Sequence, residues 1–182
     1  MKHMLLSLLC IVCTSCVSYP KDISIVSMSF YTDNSKNENP IEKIKVVFSS
    51  SDDLFNLASE IGGLISADAY FCEIPSEVVN ISSPFIKLLN HKGEIFLYET
   101  DWRVKDQYEK RMIPESTKRN KNQIYYMNYD LSIESRDVCF FVESRNILNI
   151  GFRSNIVTVD GAVISNLINS RVSGTDTLRG EQ

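Results

Sequence analysis

The stretch DVCFFVE, residues 137–143, is the strongest β-strand signal in the chain. Valine and phenylalanine, which fill it, are among the residues enriched in strands. The run ISADAYFC at 65–72 has a similar character, and its apolar residues alternate as they do on the buried face of a strand. Each run contains one cysteine, Cys139 in the first and Cys72 in the second. The sequence therefore predicts two strands that each carry a thiol.

Strand signals also dominate the rest of the chain. Runs of β-branched, aromatic or alternating residues, broken by Asn, Asp, Gly and Ser, lie at 22–31, 42–50, 93–100, 122–133 and 148–159. About seven strands with few helices are typical of a β-sandwich or barrel. We predict a mainly β fold, an immunoglobulin-like antiparallel β-sandwich over residues 23–172 with one short helix. A flexible polar tail is expected at 173–182.

Two segments depart from the strand pattern. Within SSDDLFNLASEIGG (50–63), apolar residues fall at helical spacing and a glycine pair suits the helix end. Ser51 or Asp52 suits the N-cap, and this segment is the one short helix that we predict. Near the end of the chain, Asp160-Gly161 is typical of a hairpin turn. The residues after it also fit a helix, and both alternatives stay open at this point.

The N-terminus has the pattern of an export leader. Lys2 precedes the apolar run MLLSLLCIVC, which is followed by small residues. These features are typical of a secretory signal, and the run is shorter than the roughly twenty residues of a membrane-spanning helix. The closely spaced cysteines in this region lack the fourth thiolate that an iron–sulfur site requires. We predict a cleaved signal peptide at residues 1–15.

Residues 12–16, VCTSC, resemble the bacterial lipobox, a short pattern of small residues that ends on a cysteine. The resemblance implies that Cys16 receives a diacylglycerol thioether and an acyl chain on its new amino group. Two or three acyl chains anchor stably because each buried CH₂ contributes about 0.8 kcal/mol. Residues 16–22 would form a lipidated tether, and Val17 after the cysteine points to the outer membrane. A soluble periplasmic product of an ordinary signal peptide is the alternative.

Export changes the role expected of the remaining cysteines. In an oxidising compartment two cysteines most simply form one disulfide, so we predict a structural bridge between Cys72 and Cys139. A cysteine pair on two strands is typical of immunoglobulin-type sandwiches, in which the bridge joins facing sheets. The match is partial, because Asp137 stands where those domains have a tyrosine.

Composition narrows the classes of function. The 182 residues carry a formal net charge of −4 and are 43% hydrophobic, which describes a soluble globular domain and argues against general nucleic-acid binding. His91 is the only histidine outside the leader, and a solvated turn is its simplest setting. No nucleophile, nucleotide or metal motif occurs. We therefore expect a binding protein with no catalytic residue, metal, cofactor or small-molecule substrate.

One segment, 99–129, has the composition of a contact surface. Aromatic and basic residues interleave there, and protein interfaces are enriched in Trp, Tyr and Arg. The partner-binding residues that we expect are Trp102, Arg103, Tyr108, Arg111, Tyr125 and Tyr126. The alternative is that Trp102 and every second tyrosine pack in the core, because strand alternation buries every second side chain.

The leader and the cysteine-bearing strands together resemble a family of periplasmic lipoproteins proposed as immunity proteins for type VI secretion effectors. The likeness is carried by the lipobox, ISADAYFC, Asp137-Val138-Cys139-Phe140, Asn146 and Ser154-Asn155-Ile156-Val157. It implies a lipid-anchored inhibitor, not an enzyme, on the periplasmic side of the envelope. Such a protein would dock on a toxic effector enzyme, for example a phospholipase. The alternatives are a structural or assembly lipoprotein of the envelope and an enzyme with a scattered polar site.

Overall fold

Antiparallel strands predominate in the part of the chain that the structure describes, and two short helices accompany them there. The computed structural model describes residues 22–35, 40–74, 79–105, 129–133 and 136–170. Its elements are, in chain order, β1 (Ile23–Asp33), β2 (Ile41–Ser50), α1 (Leu54–Glu60), β3 (Leu64–Phe71), β4 (Lys87–Lys92), β5 (Ile95–Arg103), β6 (Val138–Arg145), β7 (Gly151–Arg153), β8 (Val157–Val159) and α2 (Gly161–Asn169). The prediction of a mainly β fold is confirmed.

The strands form two antiparallel sheets. The first sheet has the order β1-β2-β5-β4. In the second sheet, β6 pairs with β3 on one side and with β7 and β8, one after the other, on the opposite side. β2 and β3 therefore belong to different sheets, and α1 lies in the connection between them. The result is a sandwich-like fold.

The core lies between the sheets because each strand turns every second side chain inward. In β2 the inward residues Ile44, Val46 and Phe48 are fully buried. The Phe48 ring centroid lies 5.2 Å from that of Phe140 in β6, and the Trp102 centroid in β5 lies 5.7 Å from it. Phe140 thus contacts two strands of the opposite sheet, which makes it a central link between the sheets.

The predicted disulfide between Cys72 and Cys139 is present, and it lies within one sheet. Cys72 directly follows β3, Cys139 is in β6, and these strands are hydrogen-bonded neighbours. The bridge therefore differs from that of immunoglobulin domains, which joins facing sheets. Cys139 lies between Val138 and Phe140, which both face the core, so its side chain points to the outer face of the second sheet. The bridge cross-links two strands outside the core.

The described residues contain two helices, whereas the sequence predicts one. α1 occupies the predicted segment, and its N-cap is Asp53, slightly later than the sequence indicates. α2 settles the ambiguous C-terminal segment in favour of a helix, because Asp160 caps it and Ile164 and Ile168 are buried in the core. Among the described residues, no helix is long and apolar enough to cross a membrane.

Some residues that carry the family resemblance hold the fold together. The Asn146 side-chain oxygen accepts hydrogen bonds from the amides of Leu148 and Ile150, at 2.9 Å each, which closes the β6–β7 turn. The Asn155 side chain accepts from the Ile23 amide at 2.7 Å and donates to the Ile23 carbonyl at 3.2 Å. Asn155 thereby fixes the first residue of β1 against the second sheet.

The Tyr98 hydroxyl joins β5 to the start of α1. It accepts a hydrogen bond from the Leu54 amide at 2.9 Å and donates to the Asp52 carbonyl at 3.3 Å. Burial raises the pKa of Tyr98 to about 12, so the hydroxyl stays protonated at neutral pH. We expect Tyr98→Phe to lower the free energy of unfolding by about 1–2 kcal/mol, because a buried amide loses its acceptor. Urea denaturation measures the loss.

Tyr70→Phe is the control for this prediction, because the half-buried Tyr70 lies on the outer face of the second sheet. Its free energy of unfolding should stay within about 0.5 kcal/mol of that of the parent. Equal losses in the two variants would show that the Tyr98 hydroxyl has no special role at the helix start.

Candidate interaction surface

The structure removes Trp102 from the predicted partner-binding set. Its side chain is 0% exposed and lies against Phe140 in the core. Alternation along β5 explains this burial, since Tyr98 and Trp102 turn inward while Arg103 points outward. Trp102 is a core residue, and its inclusion in the contact set is wrong.

The other members of that set are only partly accounted for. Tyr108, Arg111, Tyr125 and Tyr126 lie outside the described residues, as does the lipidation site Cys16. Arg103 is described and exposed, and it lies on the solvent-facing side of the first sheet. The predicted aromatic–basic surface at 99–129 therefore stays a prediction, apart from Trp102.

A different surface brings aromatic and charged side chains together. It lies on the outer side of the second sheet, where the register of β3, β6 and β7 sets outward side chains beside one another. We call this surface the outer face, and it comprises Asp68, Tyr70, Phe141, Glu143, Arg145 and Arg153.

Phe141 is at the centre of the outer face. It is 2% exposed although its neighbours in β6, Phe140 and Val142, are the ones that point into the core. The Arg153 guanidinium lies 4.3 Å from the centroid of its ring, and the Tyr70 ring meets it edge-on with centroids 6.0 Å apart. Such cation–π contacts contribute about 0.5–1 kcal/mol at exposed sites. These contacts order the three side chains before any partner binds.

Glu143 orders the two arginines of the outer face. Its Oε2 atom accepts hydrogen bonds from Arg153 Nη2 at 2.9 Å and Nε at 3.1 Å, and from Arg145 Nη2 at 3.1 Å. Both arginine side chains are about half exposed, so these ion pairs contribute little stability. Their effect is to hold two guanidinium groups at the surface, where planar donors suit the carboxylates or phosphates of a partner.

Asp68 is a carboxylate whose charge is disfavoured by its surroundings. Burial raises the pKa of Asp68 above its ordinary value, and the charge of Glu143 raises it further. Hydrogen bonds from the Ser66 hydroxyl at 3.0 Å and the Asn80 amide at 3.3 Å act in the opposite direction, as does the Arg153 charge. Ionisable groups with perturbed pKa values cluster at functional sites. A cationic partner would stabilise the charged form of Asp68.

The raised pKa of Asp68 predicts a pH-dependent stability. The folded chain binds the Asp68 proton more tightly than the unfolded chain does. The cost in folding stability of ionising Asp68 is therefore absent below its ordinary pKa of 3.8 and develops as pH rises through its pKa in the folded chain. We expect Asp68→Asn to be more stable than the parent at neutral pH, with a difference that closes on acidification. Urea denaturation across a pH series measures it.

Glu94→Gln is the control for the Asp68 series, because Glu94 is an exposed carboxylate in the β4–β5 turn. Its stability should follow that of the parent across the pH series. An Asp68→Asn variant that is less stable than the parent at neutral pH would show that the carboxylate is needed for folding and would contradict this reading.

The solvent-facing side of the first sheet is mainly charged, and Tyr31 lies among these charges with its ring centroid 5.7 Å from Lys45 Nζ. Lys43 Nζ lies 2.6 Å from Asp33 and 4.0 Å from Asp101, and Lys45 Nζ lies 3.2 Å from Glu99. The hydrogen bond from Lys43 holds the pKa of Asp33 well below its usual range. This ladder of paired charges is typical of a solvated strand surface.

An apolar groove of about 700 Å³ lies beside α1 and the start of β3. Phe55, Leu64 and Phe85 contribute to its walls, and Leu64 and Phe85 are 86% and 80% exposed. Apolar walls suit an acyl chain or an apolar side chain.

Across the described ranges, no group of three or more His, Cys, Asp or Glu residues could hold a metal ion.

Comparisons with known proteins add no family to this geometry. No protein-family model matches the chain, and neither a curated protein nor a solved structure matches it. The resemblance to immunity lipoproteins therefore stays a prediction from the sequence motifs.

Proposed function

We propose that the chain is a lipid-anchored periplasmic protein that binds and blocks a toxic effector of type VI secretion, in other words an immunity protein. The lipobox and the motif resemblance support the anchor and the role. The outer face carries the proposal, because preordered aromatic and charged side chains suit tight docking on a protein. The Cys72–Cys139 disulfide suits the oxidising periplasm.

We infer that the sandwich has immunoglobulin-like topology. The orders β1-β2-β5-β4 and β3-β6-β7 correspond to the A-B-E-D and C-F-G sheets of constant-type immunoglobulin domains. The bridge of those domains joins the second and sixth strands. In this chain, Phe48 of the second strand contacts Phe140 of the sixth, so an aromatic pair stands between the strands that a disulfide joins there.

Inhibition by docking requires a complementary surface and no reaction by the inhibitor. Arg145 and Arg153 would meet acidic groups of the effector, Asp68 would meet a basic group, and Tyr70 would supply apolar area. The lipid anchor raises the local concentration of the inhibitor at the membrane under attack. Val17 supports an anchor in the outer membrane, and an effector that attacks the envelope, such as a phospholipase, would act at that site.

A co-expression experiment tests the proposal. The product of the adjacent reading frame is directed to the periplasm of a host cell, alone and together with this chain. We expect the product to be toxic alone and harmless when this chain is present, and we expect the two proteins to purify as a complex. Toxicity that persists beside the folded chain would contradict the immunity role and favour a structural or assembly lipoprotein.

Two matched variants identify the contact surface. Arg145→Glu reverses an exposed charge on the outer face, and Arg103→Glu reverses an exposed charge on the first sheet. We expect Arg145→Glu to weaken the complex about tenfold or more, because it sets like charges against each other at the interface. Arg103→Glu should have little effect. The reverse result would assign the contact to the aromatic–basic segment at 99–129.

A further inference from the structure

Exposed apolar side chains gather at one end of the sandwich. This apolar end comprises Phe55, Leu64, Ile95, Ile147, Leu148 and Ile150. Leu64, Ile147 and Leu148 are 86%, 101% and 71% exposed, so they are fully available to a partner. Single exposed apolar residues are ordinary, whereas a contiguous apolar patch is typical of an interaction site.

Strand pairing brings the α1–β3 connection and the β6–β7 turn to the same end. Leu64 begins β3 and pairs with Arg145, the last residue of β6, so the β6–β7 turn projects beyond both strands at this end. The Asn146 side-chain amide donates to the Ile61 carbonyl at 3.0 Å, which ties the turn to the end of α1. The apolar residues of the turn therefore lie beside Leu64.

The predicted lipid tether leaves from the same end. Ile23, the first residue of β1, pairs with Ser50, the last residue of β2, just before α1. In β5, on the other side of β2, Phe96 also pairs with Ser50. Ile95 precedes Phe96 and therefore lies at the same end of the sheet. The Asn155 side chain accepts a hydrogen bond from the Ile23 amide and donates one to the Ile23 carbonyl, which fixes the point from which the tether extends.

The tether is too short to let the domain turn over. Cys16 precedes Ile23 by seven positions, and an extended residue spans about 3.3–3.6 Å, so the tether reaches at most about 25 Å. β1 alone has 11 residues, which at about 3.3 Å each extend roughly 36 Å away from this point. The apolar end therefore stays nearest to the lipid that holds the anchor.

We propose that the apolar end rests on the lipid surface that holds the Cys16 acyl chains, with Leu64, Ile147 and Leu148 inserted at the boundary between headgroups and acyl chains. This inference rests on the lipid anchor of the proposed function. Among the described residues, the exposed charges nearby are Asp22, Glu60, Glu94, Lys92 and Arg145, which carry no net positive charge. Burial of apolar side chains, not attraction to anionic headgroups, would drive the contact.

This contact would orient the protein as well as hold it. With the apolar end on the membrane, the strands would extend away from the bilayer. The outer face would then stand upright on the membrane, with its side chains pointing along the plane of the bilayer. An effector working at the membrane would meet that face directly.

Tryptophan fluorescence tests the proposal with a matched pair of variants. Leu148→Trp adds an indole to the apolar end, and Ile133→Trp adds one to a position that is 79% exposed near the opposite end, beside the Lys105–Asp130 bridge. Trp102 is buried in both variants and gives the same background. Each mature lipoprotein is reconstituted in vesicles of phosphatidylethanolamine, phosphatidylglycerol and brominated phosphatidylcholine. On contact with these vesicles, the added indole of Leu148→Trp should shift its emission to the blue and lose intensity because bromine quenches it. The added indole of Ile133→Trp should do neither.

Equal emission from the two anchored variants would overturn the lipid contact. A blue shift of Leu148→Trp on addition of the purified effector, with none on vesicles, would also overturn it and assign the apolar end to a protein. The same variants, held from residue 17 by a histidine tag on nickel-chelating lipid, give the measurement whether or not Cys16 is lipidated. Failure of the anchor and failure of the apolar end therefore give different results.

Discussion

Replacing Cys72 and Cys139 together by serine should lower the free energy of unfolding by roughly 4 kcal/mol. The bridge closes a loop between positions that are 67 residues apart, and an unfolded chain without it gains the conformational freedom of that loop. Because domains of this size are stable by only about 5–15 kcal/mol, the loss is a large part of the total. Urea denaturation of the parent and the double variant measures it.

Chemical reduction of the parent is the control for the double variant. It breaks the same bond without changing the sequence, so the reduced parent should unfold at nearly the same urea concentration as the Cys72→Ser/Cys139→Ser protein. A variant as stable as the oxidised parent would show that pairing between β3 and β6 needs no covalent support, and would contradict the stabilising role assigned to the bridge.

Phe140→Ala should cost about 3–5 kcal/mol, because a large side chain is removed from a site with no access to solvent. The Phe140 ring contacts Phe48 and Trp102, which belong to two strands of the other sheet. Truncation therefore loosens the packing between the sheets as well as leaving a cavity. Urea denaturation measures the cost, and near-ultraviolet circular dichroism reports the loss of fixed packing around Trp102.

Phe85→Ala is the matched control, since it removes the same atoms from a side chain that is 80% exposed. Its free energy of unfolding should change by no more than about 0.5 kcal/mol. A small effect of Phe140→Ala, similar to that of Phe85→Ala, would mean that the two sheets do not pack through this ring.

The strands could be predicted from the sequence because alternation is a local property. In β2, the two-residue spacing of Val46 and Phe48 is enough to predict that both side chains lie on the same face of the strand. Sheet membership is not local, because it depends on which distant strand supplies the hydrogen bonds. The cysteines predicted a contact between β3 and β6 but not that these strands are neighbours in one sheet. The pairing of Cys72 with Cys139 could therefore be predicted, but its position within one sheet could not.

The C-terminal helix shows how tertiary contacts settle an ambiguous segment. Asp160-Gly161 suits both a hairpin turn and a helix start. In the fold, the Gly161 amide donates to the Asp137 carboxylate at 3.0 Å, and Ile164 and Ile168 enter the core. Both contacts join residues far apart in the sequence, so spacing alone gives no preference.

The outer face was not predicted because its members come from three strands. Phe141 looked like an ordinary strand residue, and Arg153 lies in a different run. The register alone brings Tyr70, Phe141 and Arg153 together. The segment at 99–129 drew attention through its composition, which cannot distinguish the buried Trp102 from an exposed contact residue.

The proposed lipid anchor is the basis for both the proposed immunity role and the proposed membrane contact, and mass spectrometry of the N-terminal peptide tests it most directly. In protein purified from membranes, we expect a peptide that begins at Cys16 and carries a diacylglycerol thioether and an acylated amino group. An unmodified Cys16 thiol in a cytosolic product that retains residues 1–15 would contradict it.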